Sequence, residues 1–248
     1  MDSEFALFAV IGFAAQIVDG ALGMAFGVIS STSLIALGLP PALASAAVHA
    51  AEVVTTGISG ISHLWNRNVD RGLFLRLLIP GILGGLAGAY VVTIVQEEYV
   101  RPIVTVYLAA MAILVFLRVA KRLPRWQPPV PPIGATAGFL DAFGGGGWGP
   151  LASSTLMASG DVPRTTIGSV NSAEFFITAA VSVMFLTQLD LASYSKVVLG
   201  LIVGGALAAP LAGYLIRILP PRAALVLVGI VVAGLSGFNI YQLFNAGS

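Results

Sequence analysis

Long apolar runs, divided by short polar or proline–glycine punctuation, give the chain its layout, and their lengths predict helices that cross a bilayer. From Phe5 to Leu37 the sequence is apolar except for an interruption at Asp19-Gly20-Ala21-Leu22-Gly23. One straight helix over that stretch would be about 50 Å long, against a hydrocarbon core of about 30 Å. The interruption therefore predicts two short helical pieces around a break. Ala42 to Leu64, Leu73 to Val95 and Pro102 to Val119 each predict one spanning helix. The run from Lys121 to Pro132 holds five prolines. Proline cannot continue a helix, so 121–132 reads as a linker between a first unit, 1–120, and a second, 133–248.

The second unit repeats the first. With an offset of 122, fifteen of the 46 positions from 11 to 56 are identical without a gap. Among them are Gly12/Gly134, Asp19/Asp141, Gly23/Gly145, Gly27/Gly149, Ser31/Ser153, Pro41/Pro163 and Glu52/Glu174. Such self-similarity marks a structural repeat. The spans predicted in the second unit are 165–187, 196–217 and 222–244. The fold class expected is all-α and polytopic. It consists of two repeats, each a broken helical pair followed by three transmembrane helices. The pair must return to the side it left, as two short spans or as a re-entrant hairpin. Each repeat is then odd in crossings, which makes the two inverted relative to each other, a plan common among secondary transporters.

Composition supports this reading. Hydrophobic residues make up 57% of the 248 residues and charged residues 9%, against roughly 25% charged in an ordinary soluble domain. That excludes a soluble globule, a disordered chain and a basic nucleic-acid binder. Net charge is +1 and there is no cysteine, so thiolate and iron–sulfur chemistry are excluded. The two histidines, His49 and His63, are too few for a multi-histidine metal site. No metal or cofactor is expected. The opening Met1-Asp2-Ser3-Glu4 lacks a basic leader region, so the first apolar stretch is expected to stay in the mature protein. Arg67 and Arg71, the group Arg118, Lys121, Arg122 and Arg125, and the pair Arg217 and Arg222 fall on one side of the predicted spans. That side is expected to be cytoplasmic.

Two constellations carry chemistry. The breaks read Asp19-Gly-Ala-Leu-Gly-Met-Ala-Phe-Gly27 and Asp141-Ala-Phe-Gly-Gly-Gly-Gly-Trp-Gly-Pro150. A helix that starts inside a membrane points N–H donors and a partial positive charge inward. Two such starts would cradle a small anion. The candidate ligands are Gly23, Gly27, Ser31 and Thr32 in the first unit, and Gly145, Gly146, Gly147, Trp148, Gly149, Ser153 and Ser154 in the second. Asn171 is a further donor. The same glycines also suit close helix packing, and Trp148 either walls the site or fills the space the glycines leave. The second constellation is the set of acids in apolar stretches, Asp19, Glu52, Asp141 and Glu174. Such residues are costly and usually functional. With His49, on the same helical face as Glu52, they are candidates for proton coupling or for orienting the site. Capping of the broken backbone is the structural alternative.

Gly57-Ile58-Ser59-Gly60 fits a pattern of intramembrane serine proteases. A nucleophilic serine needs a base within reach, and His63 lies on the same helix where that design takes its base from another. In a chain with 29 glycines such matches are cheap, and no enzyme is expected.

The doubled motif resembles the TauE/SafE sulfite exporters, within the larger toluene-sulfonate uptake permease group. It runs Gly12…Gly23…Gly27…Gly38-Leu39-Pro40-Pro41 and again Gly134…Gly144-Gly145-Gly146-Gly147-Trp148-Gly149-Pro150…Gly160-Asp161-Val162-Pro163. Asn68-Val69-Asp70 is similar to the family's turn before its next span. The resemblance implies a transporter of sulfite, related sulfur oxyanions or organosulfonates in a bacterial or archaeal inner membrane, with sulfite export the leading case. The first break departs from the pattern because it has no Gly-Gly-Gly run, so the second is expected to supply more N–H donors. The expected partners are a small anion and the lipid bilayer, with room for a homodimer. The alternative is a cation or proton conductor that uses the buried acids.

Overall fold

The computed structural model describes residues 3–22, 24–120, 129–158, 163–215 and 221–246, and every regular element among them is helical. The first break separates α1 (Ser3–Leu22) from α2 (Phe26–Ala36), and α3 (Pro41–Trp65), α4 (Arg71–Ile94) and α5 (Glu97–Val119) follow. The second unit opens with α6 (Val130–Gly144). After its break, one π-helical turn (Gly149–Ser153) runs into the short α7 (Ser154–Ala158). Then come α8 (Pro163–Gln188), a 3-10 turn (Leu191–Tyr194), α9 (Ser195–Leu215) and α10 (Pro221–Ala246). Both breaks fall where the apolar pattern predicts them.

Two boundaries differ from the pattern. α6 starts at Val130, inside the stretch read as linker, because Pro131 and Pro132 occupy its first turn, where a missing N–H costs nothing. The rest of the linker, 121–128, lies outside the described residues. α5 starts at Glu97, ahead of Pro102. Glu97 and Glu98 in its first turn complement the helix dipole.

The helices pair across the two units. α1 packs along α9 and α4 along α6, so the first helix of each unit lies on the fourth helical segment of the other. α3 packs on α8, and α5 on α10. Bare backbone makes the exchanged contacts. A methyl group on Gly134 would lie 2.8 Å from the Leu77 carbonyl oxygen, and one on Gly12 would overlap the backbone of Leu201. Gly84 and Gly88 meet the carbonyls of Ala135 and Phe139, and Gly138 meets that of Gly81. On the other side Gly204 meets the carbonyl of Ala9. In lipid there is no hydrophobic drive between helices, so small residues that admit close approach decide which surfaces pair.

The opposite faces are apolar and exposed. Leu75, Ile79 and Leu83 stripe the outside of α4, and Leu199, Val203 and Leu207 stripe α9. In water such stripes would drive association, and in a bilayer they meet acyl chains. Pro41–Trp65, Arg71–Ile94, Thr165–Gln188 and Leu191–Ala209 are long and apolar enough to cross a membrane. The chain is an all-α, multi-pass membrane protein.

The glycine ridge can be tested by substitution. Gly138→Ala pushes a methyl group into the Gly81 carbonyl and is expected to cost about 1–3 kcal/mol. Gly234, on α10, has nothing within 4 Å of the corresponding position. Gly234→Ala should leave the melting midpoint of the detergent-solubilised protein unchanged or raised, while Gly138→Ala lowers it.

Candidate functional site

A helix broken inside a membrane leaves N–H groups that water cannot satisfy, so the protein must supply acceptors. The two breaks do so in the same way. Asp19 Oδ1 accepts from the Phe26 amide at 3.2 Å, and Asp141 Oδ1 accepts from the Trp148 amide at 3.0 Å. In each case the carboxylate stands seven residues before the amide, and the two pairs are 122 residues apart. The chain's own carboxylates thus hold part of each helix start. Of the two roles open to these acids in the sequence, capping is the one their hydrogen bonds display.

The second break is the more elaborate. Gly145 ends α6 in the left-handed region, φ +73°, and the Gly145 and Gly146 amides both donate to the Asp141 carbonyl oxygen, at 2.7 and 3.1 Å. Ser45 Oγ of α3 donates to the Ala142 carbonyl oxygen at 2.5 Å. Tyr107 of α5 donates its hydroxyl to the Gly146 carbonyl oxygen at 2.6 Å. In the first break the backbone turns at Ala25, which holds φ +152°, a strained value for an L-residue.

The two breaks touch. A methyl group on Gly27 would lie 2.8 Å from Gly146 Cα and 3.0 Å from Glu52 Oε1, and one on Gly146 would overlap the Gly27–Val28 backbone. Beside this contact is a small cavity of about 10 Å³, room for about one water. Asp19, Glu52, Asp141 and Glu174 all line it, with Gly27, Gly147, Gly149 and Pro150. No Lys or Arg is among the described residues that line it. All four acids singled out in the sequence therefore meet at one point, between the start of α2 and the π-helical turn before α7.

The other candidates lie around this point. His49 is fully buried; its Nδ1 is 2.9 Å from the Ser45 carbonyl oxygen, and its Nε2 is 3.3 Å from Asp141 Oδ2. Ser31 and Thr32 return their hydroxyl protons to the Gly27 and Val28 carbonyls, at 2.7 and 2.5 Å, which leaves their oxygens as acceptors. Ser153 Oγ is buried with no hydrogen-bond partner. Ser154 Oγ lies 3.9 Å from Met24 Sδ. Asn171 donates to Ser59 Oγ at 3.1 Å, so the serine of the protease-like pattern is engaged by an amide. Trp148 is fully buried, and its indole N–H donates to the Val170 carbonyl at 3.1 Å. Its ring lies against Gly81 of α4, filling space rather than lining the cavity. Gly23 lies outside the described residues. Tyr107, which braces the second break from α5, carries no local sequence signal, whereas Ser45 lies on the same face of α3 as His49 and Glu52.

A larger opening of about 530 Å³ lies elsewhere, between α3, α4 and α8, walled by Ile61, Leu64, Phe74, Phe175 and Phe176. Its surface is almost wholly apolar, with Arg71 and Ser172 the polar residues along its wall.

Comparison with known proteins agrees with the fold class. The family model described as sulfite exporter TauE/SafE matches residues 8–239. The chain is 38% identical over 234 residues to the probable membrane transporter protein YtnM of Bacillus subtilis (strain 168), covering 90% of this chain and 78% of that one. No solved structure matches. The match spans both units and both breaks, and with the apolar helices it identifies a membrane transporter, not an enzyme: the chain belongs to the TauE/SafE sulfite exporter family.

Proposed function

We propose that this transporter moves a small sulfur oxyanion or organosulfonate across a bacterial or archaeal inner membrane, with export of sulfite as the leading case. The observation that carries this reading is the convergence of two helix starts, one from each repeat, on one small polar cavity. Helix starts favour anions through their N–H donors and dipole. The unpartnered hydroxyl of Ser153 and the hydroxyl of its neighbour Ser154 lie in the turn that follows the second start. The family description points to the same substrate class.

The four carboxyl groups constrain the mechanism. Two like charges about 4 Å apart repel by about 4 kcal/mol even at an effective dielectric of 20. An anion therefore enters only when the acids facing it are neutral. In this reading Asp19 and Asp141 orient the helix starts, His49 and Glu52 shape the wall, and Glu174 takes up the proton that admits the anion. The two inverted repeats expose the site alternately, with the Arg-rich loops and the linker on the cytoplasmic side. The movement is a rocking of the α1–α9 body against the α4–α6 body about the Gly27–Gly146 contact. A second reading, a cation or proton conductor, is favoured by the four acids and by the lack of a Lys or Arg among the described residues that line the cavity.

Flux into proteoliposomes separates these readings. Saturable sulfite movement, faster than sulfate movement, is expected. Ser153→Ala/Ser154→Ala should lower it by at least about tenfold, since hydrogen bonds to a charged group are worth about 1.5–3 kcal/mol each. Uptake that follows a cation gradient and ignores sulfite would put the conductor first.

The proton role has its own test. Glu174→Gln should flatten the dependence of sulfite flux on pH while the protein stays folded. An unaltered pH profile would remove Glu174 from the coupling.

A further inference from the structure

We propose that His49, Glu52 and Asp141 form a binding site for one divalent transition-metal ion of the Zn2+ type, at the wall of the central cavity. Ligand atoms from these three buried side chains lie within 4.8 Å of one another. His49 Nε2, Glu52 Oε2 and Asp141 Oδ2 are each buried without a hydrogen-bond partner. Unsatisfied polar atoms in a core are costly, and three at one point call for something they share.

The chemistry of the imidazole narrows what that is. The Ser45 carbonyl oxygen, 2.9 Å from His49 Nδ1, can only accept, so Nδ1 carries the proton. In neutral His49 the other nitrogen, Nε2, is then a bare lone pair, and it stands 3.3 Å from an oxygen of Asp141. A proton between those two atoms would leave Glu52 Oε2 as it is, because one proton bridges one pair. A metal ion engages all three. The His49–Asp141 separation of 3.3 Å fits as well, since ligands at about 2.1 Å around a tetrahedral Zn2+ stand about 3.4 Å apart, and Glu52 stands within 4.8 Å of both. The surroundings match those of a ligating set, in which a histidine donates its other N–H to a carbonyl and a carboxylate is itself hydrogen-bonded. Ser45 fulfils the first condition and the Trp148 amide the second. One nitrogen and two carboxylates suit a first-row divalent ion, and the imidazole disfavours Mg2+ and Ca2+.

The site belongs to one unit only. At the position equivalent to His49 stands Asn171, which turns to Ser59. Two histidines in the chain are too few for a multi-histidine centre but enough for this one. The ion would also offset carboxylate charge at a cavity lined by Glu52 and Asp141. Its binding does not depend on which solute the transporter carries.

The test is Zn2+ binding to the full-length protein, purified without a polyhistidine tag, stripped with chelator and dialysed against Zn2+ with metal analysis. About one Zn2+ per chain is expected for the wild type and for His63→Gln, which controls for the other histidine. His49→Gln and Glu52→Gln should each weaken binding by about tenfold or more, and the Zn2+-dependent rise in melting midpoint should vanish with it. Should His49→Gln fail to fold, Glu52→Gln decides. A wild type that retains no Zn2+, or variants that bind it as the wild type does, would overturn the site.

Discussion

A polypeptide that interrupts a helix inside lipid must answer for every N–H and C=O it frees, and the rest of this architecture follows from that demand. Asp19 and Asp141 each reach seven residues forward to the amide that opens the next helix. A carboxylate placed there for capping is itself a liability in an apolar medium, so the break and its acid must both be buried in protein. α3 and α8 provide the enclosure. They bring Glu52 and Glu174 with them, which is how a backbone requirement gathers four acids around one cavity.

The two-fold pattern of the repeats sets the packing, and its exceptions concentrate at the centre. Gly12 on Leu201 is mirrored by Gly134 on Leu77, and the exposed stripes of α4 and α9 correspond residue for residue. Near the cavity the correspondence ends. His49 corresponds in the repeat to Asn171, Phe26 to Trp148, and the strained Ala25 to Gly147. The second break carries the glycine run and is braced by Tyr107 and Ser45. Pairing of helices tolerates symmetry, whereas a site that binds a small solute has no reason to keep it.

Much of this was legible in the order of apolar and polar residues. The broken pairs, the long helices and the choice of Asp19, Glu52, Asp141 and Glu174 as candidates follow from repeat spacing and from the cost of acids in lipid, whereas their meeting at one cavity comes from the fold. The partners of these groups were not legible. Nothing near Asp141 in the chain announces His49 as its neighbour, because that contact joins two units through folding. Ser31 and Thr32 have the right chemistry for ligands, yet their protons return to their own helix, a local preference that competes with any distant partner. The start of α6 was misplaced because a proline run ends helices in their interior but suits their first turn. Trp148 was ambiguous in sequence because its role depends on Gly81, a residue of the other unit.

The exchanged pairing of α1 with α9 and α4 with α6 bears on how such a chain arises. One repeat alone carries close-packing glycines on its first and fourth helices, and the backbone they meet belongs to the other repeat. Each repeat supplies that surface to the other, by the contacts described above. The interior of this protein is therefore packed as two half-length chains would pack in a dimer. Fusing two such chains adds only the linker, and afterwards each copy is free to diverge. The single histidine at the centre uses what one continuous chain allows: a two-fold dimer would have to carry it twice or not at all.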